Sequence, residues 1–583
     1  MKIDDKNYYH KTVILLLFVS LASLILLSAQ NAKAQDLNIR NDIAVKSIIE
    51  EYNSKIPELM KKNRLPGLSI ALVDKYGVVW HQAYGFTDRK KTNPVTGNTI
   101  FSVQSMSKAF TATGVMIAVQ DGLIDLDAPI TKYLPGFSVN SRFEKNPQEK
   151  MTLRHLLGHK AGFTHEAPIG NNNYPDFPSF EAHINSIPDT WLRYPVGQRY
   201  CYSNLGIDIA GYILQIVSGK PFFQYIKEAL LEPIGMKNSS FDWQVIRKNE
   251  NRAIGHTNGF SKVPLEFGMI PAGTLYSSVK DMAKFILLHL NDGIVKNKQI
   301  LQKKYLEEMY SVPFPLKGQI EGYALGIDKK KKYGSYYLSH GGGGMGFTSD
   351  MRWCPEFGIG MVLLTNSENH QLLNLSYKII DEIVRTKIGN TPPESKFDNL
   401  KAIEISKLNV KKIVGNYVGR WGRFDIVLKN ENYWVKVRRK GLTPINFTSD
   451  TEAFIKEKNG STTFIRFFFD VNDSPSYLVK VNNGVTYDYN DGPYDKRGPS
   501  KKEWKDYIGK YSLPTWGQKI EVLAVSKKNG YLYLDKLRLQ EYQSGLFFSS
   551  TGEALDFRNT TPTWRNLKLR KRIDASAYKG PMK

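Results

Sequence analysis

The chain has 583 residues, 41% of them hydrophobic and 23% charged, with a formal net charge of +24. That length exceeds one hydrophobic core, so about two to four domains are expected, and the composition excludes a mainly disordered protein. Lys and Arg are spread along the whole sequence, with no RNA- or DNA-binding motif and no basic heptad helix, so the charge reads as a general lysine bias and no nucleic-acid partner is expected.

Lys2, Lys6, His10 and Lys11 precede an apolar run from Val13 to Leu27, and Ala32-Lys33-Ala34 offers a small-x-small cleavage site before Gln35. This is the layout of a Sec-type signal peptide over residues 1–34. The run is shorter than the roughly 20 residues of a spanning helix. The expected product is exported, periplasmic or secreted, and meets a membrane only through an uncleaved signal. Two cysteines, Cys201 and Cys354, make no disulfide framework. Pairing and two buried free thiols both remain open.

Asn41 to Lys62 reads as an amphipathic helix, ended by Leu65-Pro66-Gly67. Leu68 to Val73 and Val78 to Tyr84 are strand-like and joined by Asp74-Lys75-Tyr76-Gly77, which predicts a hairpin. Thr99 to Val103 is β-like. A helix is expected from Ser105 to a cap at Asp121-Gly122. Further helices are expected over Thr152 to His159, Gly206 to Val217, Pro221 to Leu231 and Ser278 to Leu290. Strand-like runs return at Tyr336 to Ser339, Phe347 to Trp353 and Gly358 to Leu364, before a last helix from Leu372 to Thr386. Strands from both ends of this α+β region must share one antiparallel sheet with the helices packed on it.

Thr391-Pro392-Pro393-Glu394-Ser395 looks like a linker. Short alternating strands follow in two sets that open alike, Val414-Gly415-Asn416-Tyr417 and Ile508-Gly509-Lys510-Tyr511. The expectation is two related small antiparallel β-barrels. The organisation is then a signal peptide at 1–34, a catalytic domain at 35–390, and barrels at 400–490 and 502–575.

Ser105-Met106-Ser107-Lys108 places a serine and a lysine three residues apart, on one face of a helix start where backbone N–H groups are free. That suits a nucleophile beside an amine that can take its proton. Alone, S-x-x-K is equally a helix cap with a solvated lysine. Tyr202-Ser203-Asn204 and His340-Gly341-Gly342 follow in order, the latter opening a glycine-rich turn from Gly341 to Gly344. With these three motifs the chain resembles the penicillin-recognising serine hydrolases: class C β-lactamases, D-Ala-D-Ala carboxypeptidases, D-aminopeptidases and related esterases. The resemblance covers roughly Asn41 to Ile388 and extends to Leu65-Pro66-Gly67-Leu68, His155-Leu156-Leu157-Gly158-His159 and Gly322-Tyr323-Ala324-Leu325-Gly326. It implies a β-lactamase/transpeptidase-like fold with a helical insertion, followed by lipocalin-like barrels as in the D-aminopeptidases with two such barrels.

In that chemistry Ser105 is the nucleophile, Lys108 its base if burial or a positive neighbour lowers its pKa, and Tyr202 the relay of the proton to the leaving group. Asn204 offers an amide to a peptide-like substrate. The resemblance assigns the oxyanion hole to the backbone N–H groups of Ser105 and Gly343. His340, Gly342 and Gly343 would line the substrate, with glycines letting its backbone lie close. Many β-lactamases carry Lys-Thr-Gly where His340 stands, and that lysine attracts a substrate carboxylate. A histidine is mostly neutral at pH 7, which lowers the expectation of efficient β-lactam hydrolysis and favours a peptidase.

Other patterns carry less. Ser277-Ser278-Val279-Lys280 is a second S-x-x-K, but no Y-x-N lies between it and His340, and Asp281 suits a cap on Ser278. His155 and His159 lack the glutamate of H-E-x-x-H, so they read as structural and no metal is expected. Cys201 reads as a packed thiol, and Ser105 lacks the glycines of an α/β-hydrolase elbow. Tyrosine-rich strands after Lys401 read as barrel core rather than a glycan-binding face. The expected activity is an exported acyl-enzyme serine hydrolase, a peptidase on D-residue peptides or peptidoglycan fragments, with no cofactor. An esterase or weak β-lactamase, and a non-catalytic envelope-binding protein, are the alternatives.

Overall fold

The computed structural model describes residues 36–171, 177–256, 263–369, 373–389, 397, 400–420, 422–437, 441–457, 460–493, 495–496, 498–513 and 521–571. The expected signal peptide and the linker at 391–395 lie outside them. No described helix is long and apolar enough to cross a membrane.

The chain opens with helix α1 (Ile43–Asn63), whose N-cap Asp42 accepts from the Val45 N–H at 3.0 Å, a contact of about 1 kcal/mol. Strands β1 (Gly67–Asp74) and β2 (Gly77–Gly85) form the expected hairpin. After a long helical stretch come β3 (Gly322–Tyr323), β4 (Asp328–Lys332), β5 (Ser335–Gly344), β6 (Phe347–Cys354) and β7 (Ile359–Thr365). They make one antiparallel sheet in the order β2-β1-β7-β6-β5-β4-β3. The two ends of the domain meet where Ile70 pairs with Leu363 between β1 and β7.

Every residue of β1 is buried, as befits a strand covered on both faces. Its period-two alternation feeds two cores. Leu68, Ile70 and Leu72 join α1 and the closing helix α5 (Leu373–Ile388). Ala71 and Val73 join the larger core that holds α2 (Ser107–Gln120), α3 (Asn204–Ser218) and α4 (Val279–Leu290). Phe110 of α2 stacks on Phe285 of α4 at 4.0 Å.

Two nearly closed nine-stranded antiparallel barrels follow, the first running from Gly415 to Asp491 and the second from Gly509 to Lys571. Their matching openings make the same contact. The buried Tyr417 hydroxyl donates to the Ile413 carbonyl at 2.9 Å, and the buried Tyr511 hydroxyl to the Tyr507 carbonyl at 2.7 Å.

Three expectations are revised. Gly341 to Gly344 is not a turn: these four residues continue β5 beyond His340, paired with β6 from Gly341↔Asp350 to Gly344↔Phe347. The helix expected from Ser105 begins with a 3-10 turn, Gln104–Met106, and Ser105 makes no side-chain cap. The helix over Pro221 to Leu231 is helical at Phe222–Ile226 and widens to a π turn at Lys227–Leu231. Both cysteines are free and buried.

Both barrels dock on the N-terminal sheet-and-helix domain through buried polar pairs. Asp488 of the first barrel ion-pairs with Arg199 and accepts from the Tyr194 hydroxyl at 2.6 Å. Arg199 also stacks on Tyr477 at 3.5 Å. Glu553 of the second barrel meets Arg193 at 3.2 Å and accepts from Thr164 at 2.7 Å. Removing one member of a buried pair strands the others, typically at about 3–5 kcal/mol. Asp488→Ala is therefore expected to lower the first thermal unfolding transition by several degrees; an unchanged transition would show that this contact does not hold the barrel.

Candidate active site

Ser105 sits where strand Ile100–Ser102 gives way to α2. Gln104, immediately before it, has φ +51°, the left-handed region that side chains disfavour. The turn is tied down by neighbours: the Ser107 hydroxyl donates to the Gln104 carbonyl at 2.6 Å and accepts from the Leu275 N–H at 3.1 Å. Strand β5 presses on the same turn. A Cβ on Gly342 would fall 2.2 Å from the Val103 carbonyl. The smallness expected there for a bound substrate is thus used by the protein itself, to bring β5 against the serine turn. Gly343, the next residue, is exposed.

Lys108, on the first turn of α2, has no exposure to solvent. Its Nζ donates to Ser105 Oγ at 3.1 Å and to the Ala272 carbonyl at 2.8 Å. It lies 5.0 Å from the centroid of the Tyr202 ring. The three candidate catalytic residues, Ser105, Lys108 and Tyr202, are thus brought together. Asn204, the first residue of α3, completes the cluster: its Nδ2 donates to Glu166 Oε1 at 3.1 Å, and the same oxygen meets His165 at 2.8 Å.

Helix α3 does a second job one turn further on. Asp208, fully buried, accepts from the Ala272 N–H at 2.9 Å and faces His183 at 3.1 Å. The carbonyl that holds Lys108 is therefore braced by the helix that carries Asn204. Residues four apart share a helix face, so the spacing of Asn204 and Asp208 is the sequence signal for this second contact.

His340 also differs from expectation in degree. Its Nδ1 lies 2.7 Å from the Gly341 carbonyl and its Nε2 2.8 Å from the Tyr323 hydroxyl. A carbonyl only accepts, so Nδ1 carries the proton and Nε2 accepts from Tyr323. Burial, with Lys108 nearby, pushes the ring down to about 3. Both nitrogens are occupied and the ring is neutral, so His340 presents no cation to a substrate. Tyr323 belongs to a segment that the family resemblance marked, though without a role.

The decoys have structural work. His155 Nδ1 sits 2.9 Å from the hydroxyl of Thr152, the cap of the short helix Leu153–Leu157, and its ring stacks on Phe314 at 4.2 Å. His159 Nδ1 accepts from the Ser203 N–H at 3.2 Å and so steadies the Tyr202 motif. Ser278 caps α4, accepting from the Asp281 N–H at 3.2 Å, and Ser277 faces Ser239 at 2.8 Å. Among the described residues no group of three or more His, Cys, Asp or Glu is placed to hold a metal.

The barrels reach the site, which no sequence pattern announced. Thr164 and Glu166 flank His165; the Thr164 carbonyl accepts from the Ser203 hydroxyl at 2.5 Å and the His165 carbonyl from the Asn204 N–H at 3.1 Å. The second barrel grips that segment through Glu553 on Thr164 and through Asn566, which donates to the Glu166 carbonyl at 2.8 Å. From the first barrel, the Arg420 guanidinium lies 4.1 Å over the Tyr202 ring.

A three-layered antiparallel sheet domain with S-x-x-K at the head of a buried helix, Y-x-N on a second helix and H-x-G on the facing strand is a β-lactamase/transpeptidase-like structure. The comparisons agree, and the chain belongs to the β-lactamase family: the family's sequence profile, described as "Beta-lactamase", matches residues 53–381, more than half of the chain. Beta-lactamase-like protein 2 of Dictyostelium discoideum is 28% identical over 53% of this chain and 57% of its own length, so the match spans little more than half of that relative. Protein flp of Staphylococcus aureus (strain MW2) is 25% identical over 59% of this chain and 68% of its own. Among solved structures, the octameric penicillin-binding protein homologue from Pyrococcus abyssi matches with a TM-score of 0.51 and 24% identity, covering 75% of this chain and 99% of that one. SurE, solved with D-Leu, matches with a TM-score of 0.52 and 18% identity over 76% and 98%. These two similarities speak to the fold.

The buried rings set a pH dependence of stability. Burial holds His340 and His289 at about 3 and His155 at about 4, against about 6.5 in an unfolded chain. The unfolded chain takes up protons that these folded rings refuse, so their contribution is full above about pH 6.5 and is lost as pH falls toward those values. His183 opposes them: against a burial that would lower it, Asp208 raises it. Burial lowers His159, His81 and His256 as well, so six lowered rings stand against His183 and against Asp328, which burial raises to about 6. The melting temperature is expected to fall steadily from pH 6.5 to 4.5 in calorimetric scans; a flat or rising profile would contradict the assignment.

Proposed function

We propose that this chain is an exported serine hydrolase that works through an acyl-enzyme on Ser105. Its substrates are peptides containing D-amino acids or fragments derived from peptidoglycan, in the manner of a D-aminopeptidase or D,D-carboxypeptidase. The observation that carries the reading is the solvent-free Lys108 amine 3.1 Å from Ser105 Oγ. A serine hydroxyl needs a base at neutral pH, and an amine at that distance is placed to serve as one.

The steps balance on these residues. Ser105 Oγ attacks the scissile carbonyl carbon and its proton passes to Lys108. Backbone N–H groups of Ser105 and Gly343 receive the oxyanion. Tyr202 delivers a proton to the leaving nitrogen as the C–N bond breaks, and Asn204 holds the substrate amide. Water then attacks the ester carbonyl, gives one proton to the deprotonated Tyr202, and Lys108 returns its proton to Ser105 Oγ as the C–O bond breaks and the acid leaves. An esterase of the same fold is the second reading, favoured by the neutral His340, which offers no charge to a peptide terminus.

A panel of D- and L-aminoacyl anilides, acyl-D-Ala-D-Ala, short-chain esters and a chromogenic cephalosporin decides between them. Turnover of the D-peptide substrates above the esters is expected. Ser105→Ala is expected to abolish it, and Lys108→Ala to lower kcat by about 10²–10⁴-fold, the usual worth of a general base. Unchanged turnover by Ser105→Ala would exclude the mechanism.

A further inference from the structure

A cavity of about 570 Å³ opens beside Tyr202, between the N-terminal sheet-and-helix domain and both barrels. A neighbouring cavity of about 400 Å³ shares Tyr200 and Val485 with it. The smaller one is lined by Lys160 and Tyr200, by Tyr323 of β3 and Asp328 of β4, and, from the first barrel, by Asn483 and Val485. Neither Lys160 nor Asp328 lines the larger cavity.

Lys160 is only 6% exposed, yet among the described residues no hydrogen bond or ion pair reaches its amine. Burial alone pushes that amine down to about 8; an acid at close range would have held it up. Among the described residues the Asp328 carboxylate also makes no hydrogen bond or ion pair. Burial pushes it up to about 6, against the pull of Lys330, Arg420 and Arg352. At pH 7 both groups are mostly charged. Burial, with Asp328 nearby, keeps the Tyr200 hydroxyl protonated. Other polar groups on the wall are already engaged. Gln319 donates to the Glu321 carbonyl at 2.8 Å and accepts from the Leu316 N–H at 3.1 Å. Lys329 sits 4.1 Å over the Tyr336 ring, and the Tyr323 hydroxyl is given to His340. Lys330 is exposed.

We propose that this cavity is a binding site for a short peptide with both termini free, its ammonium on Asp328 and its carboxylate on Lys160. Polar groups withdrawn from water without partners are costly, and such a ligand satisfies both at once. A simple anion would meet Asp328, and a simple cation would meet Lys160, so a zwitterion is the class that both walls accept. A single amino acid carries its two charges on one carbon. The Lys160 amine has no acid close enough to raise it, so it and Asp328 stand further apart than that, and the ligand spans at least two residues. The volume accommodates a ligand of that size. The Tyr200 hydroxyl is a donor available to the peptide carbonyl. The site holds whether or not Ser105 reacts, and it makes the first barrel part of a ligand-binding wall.

The test is calorimetric titration of full-length Ser105→Ala, in which turnover cannot consume the ligand, with D-Ala-D-Ala and L-Ala-L-Ala. Each is compared with its N-acetyl and its C-terminal amide derivative and with free alanine. At least one dipeptide is expected to bind with a Kd of about 1 mM or tighter, and capping either end should weaken it about tenfold or more, the worth of a charged hydrogen bond. Adding Asp328→Asn should erase the penalty of N-acetylation and keep that of amidation. Adding Lys160→Met should do the reverse. Lys160→Gln and Asp328→Ser replace any variant that lacks a cooperative melting transition. Binding of neither dipeptide, capping without effect, penalties that survive both substitutions, or alanine binding as tightly as the dipeptide would each overturn the proposal. Turnover by the wild type is measured separately: peptide binding without turnover sinks the hydrolase reading alone, and turnover without Lys160- and Asp328-dependent binding sinks this site alone.

Discussion

A lysine taken wholly out of water must find partners inside the protein, because an unmatched buried polar group is expensive. Lys108 finds two, the Ser105 hydroxyl and the Ala272 carbonyl. Much of the domain serves that arrangement. Helix α2, buried from Ser107 to Ala118, fixes the lysine's root. Asp208 on α3 fixes Ala272. Strand β5, admitted to close range by Gly342, fixes the turn that carries Ser105. The left-handed Gln104 fits the same picture, since strained backbone persists where the surroundings over-determine it.

The barrels extend this bracing. The Tyr202 motif hangs from residues 164–166, and that segment is held on its other side by Glu553 and Asn566. Burial alone would raise the Glu553 carboxyl, yet Arg193 and Arg565 bring it below the usual carboxylate range. It therefore stays charged and keeps its grip at neutral pH. The C-terminal half of the chain is thus tied to the Y-x-N motif through ion pairs and hydrogen bonds that bury charge, a type of contact that discriminates strongly against misplacement.

Much of this was legible in the sequence, for stated reasons. Period-two and period-3.6 patterns placed β1, β2, β6, β7 and the main helices within a few residues. The order of three motifs separated Ser105 from the identical pattern at Ser277, which lies beside a helix cap. The repeated Gly-x-Tyr opening foretold two barrels, and the two tyrosine hydroxyls make the same tether. The strand Asp328–Lys332 was missed because five charged residues carry no apolar alternation. The glycines after His340 were read as a turn because glycine marks turns more often than strands; here close packing on Val103 requires one of them. Arg420 was invisible, since no local pattern reports that a barrel hairpin will land on a tyrosine more than two hundred residues earlier.

The central claim is that Ser105, and no other serine, becomes covalently modified because Lys108 activates it. Peptide-mapped mass spectrometry after treatment with a fluorophosphonate tests it directly. One adduct is predicted, on the peptide carrying Ser105, forming at least about a hundredfold more slowly in Lys108→Ala. An adduct on Ser277, Ser278 or any other residue, or modification of Ser105 at an undiminished rate without the lysine, would contradict the account.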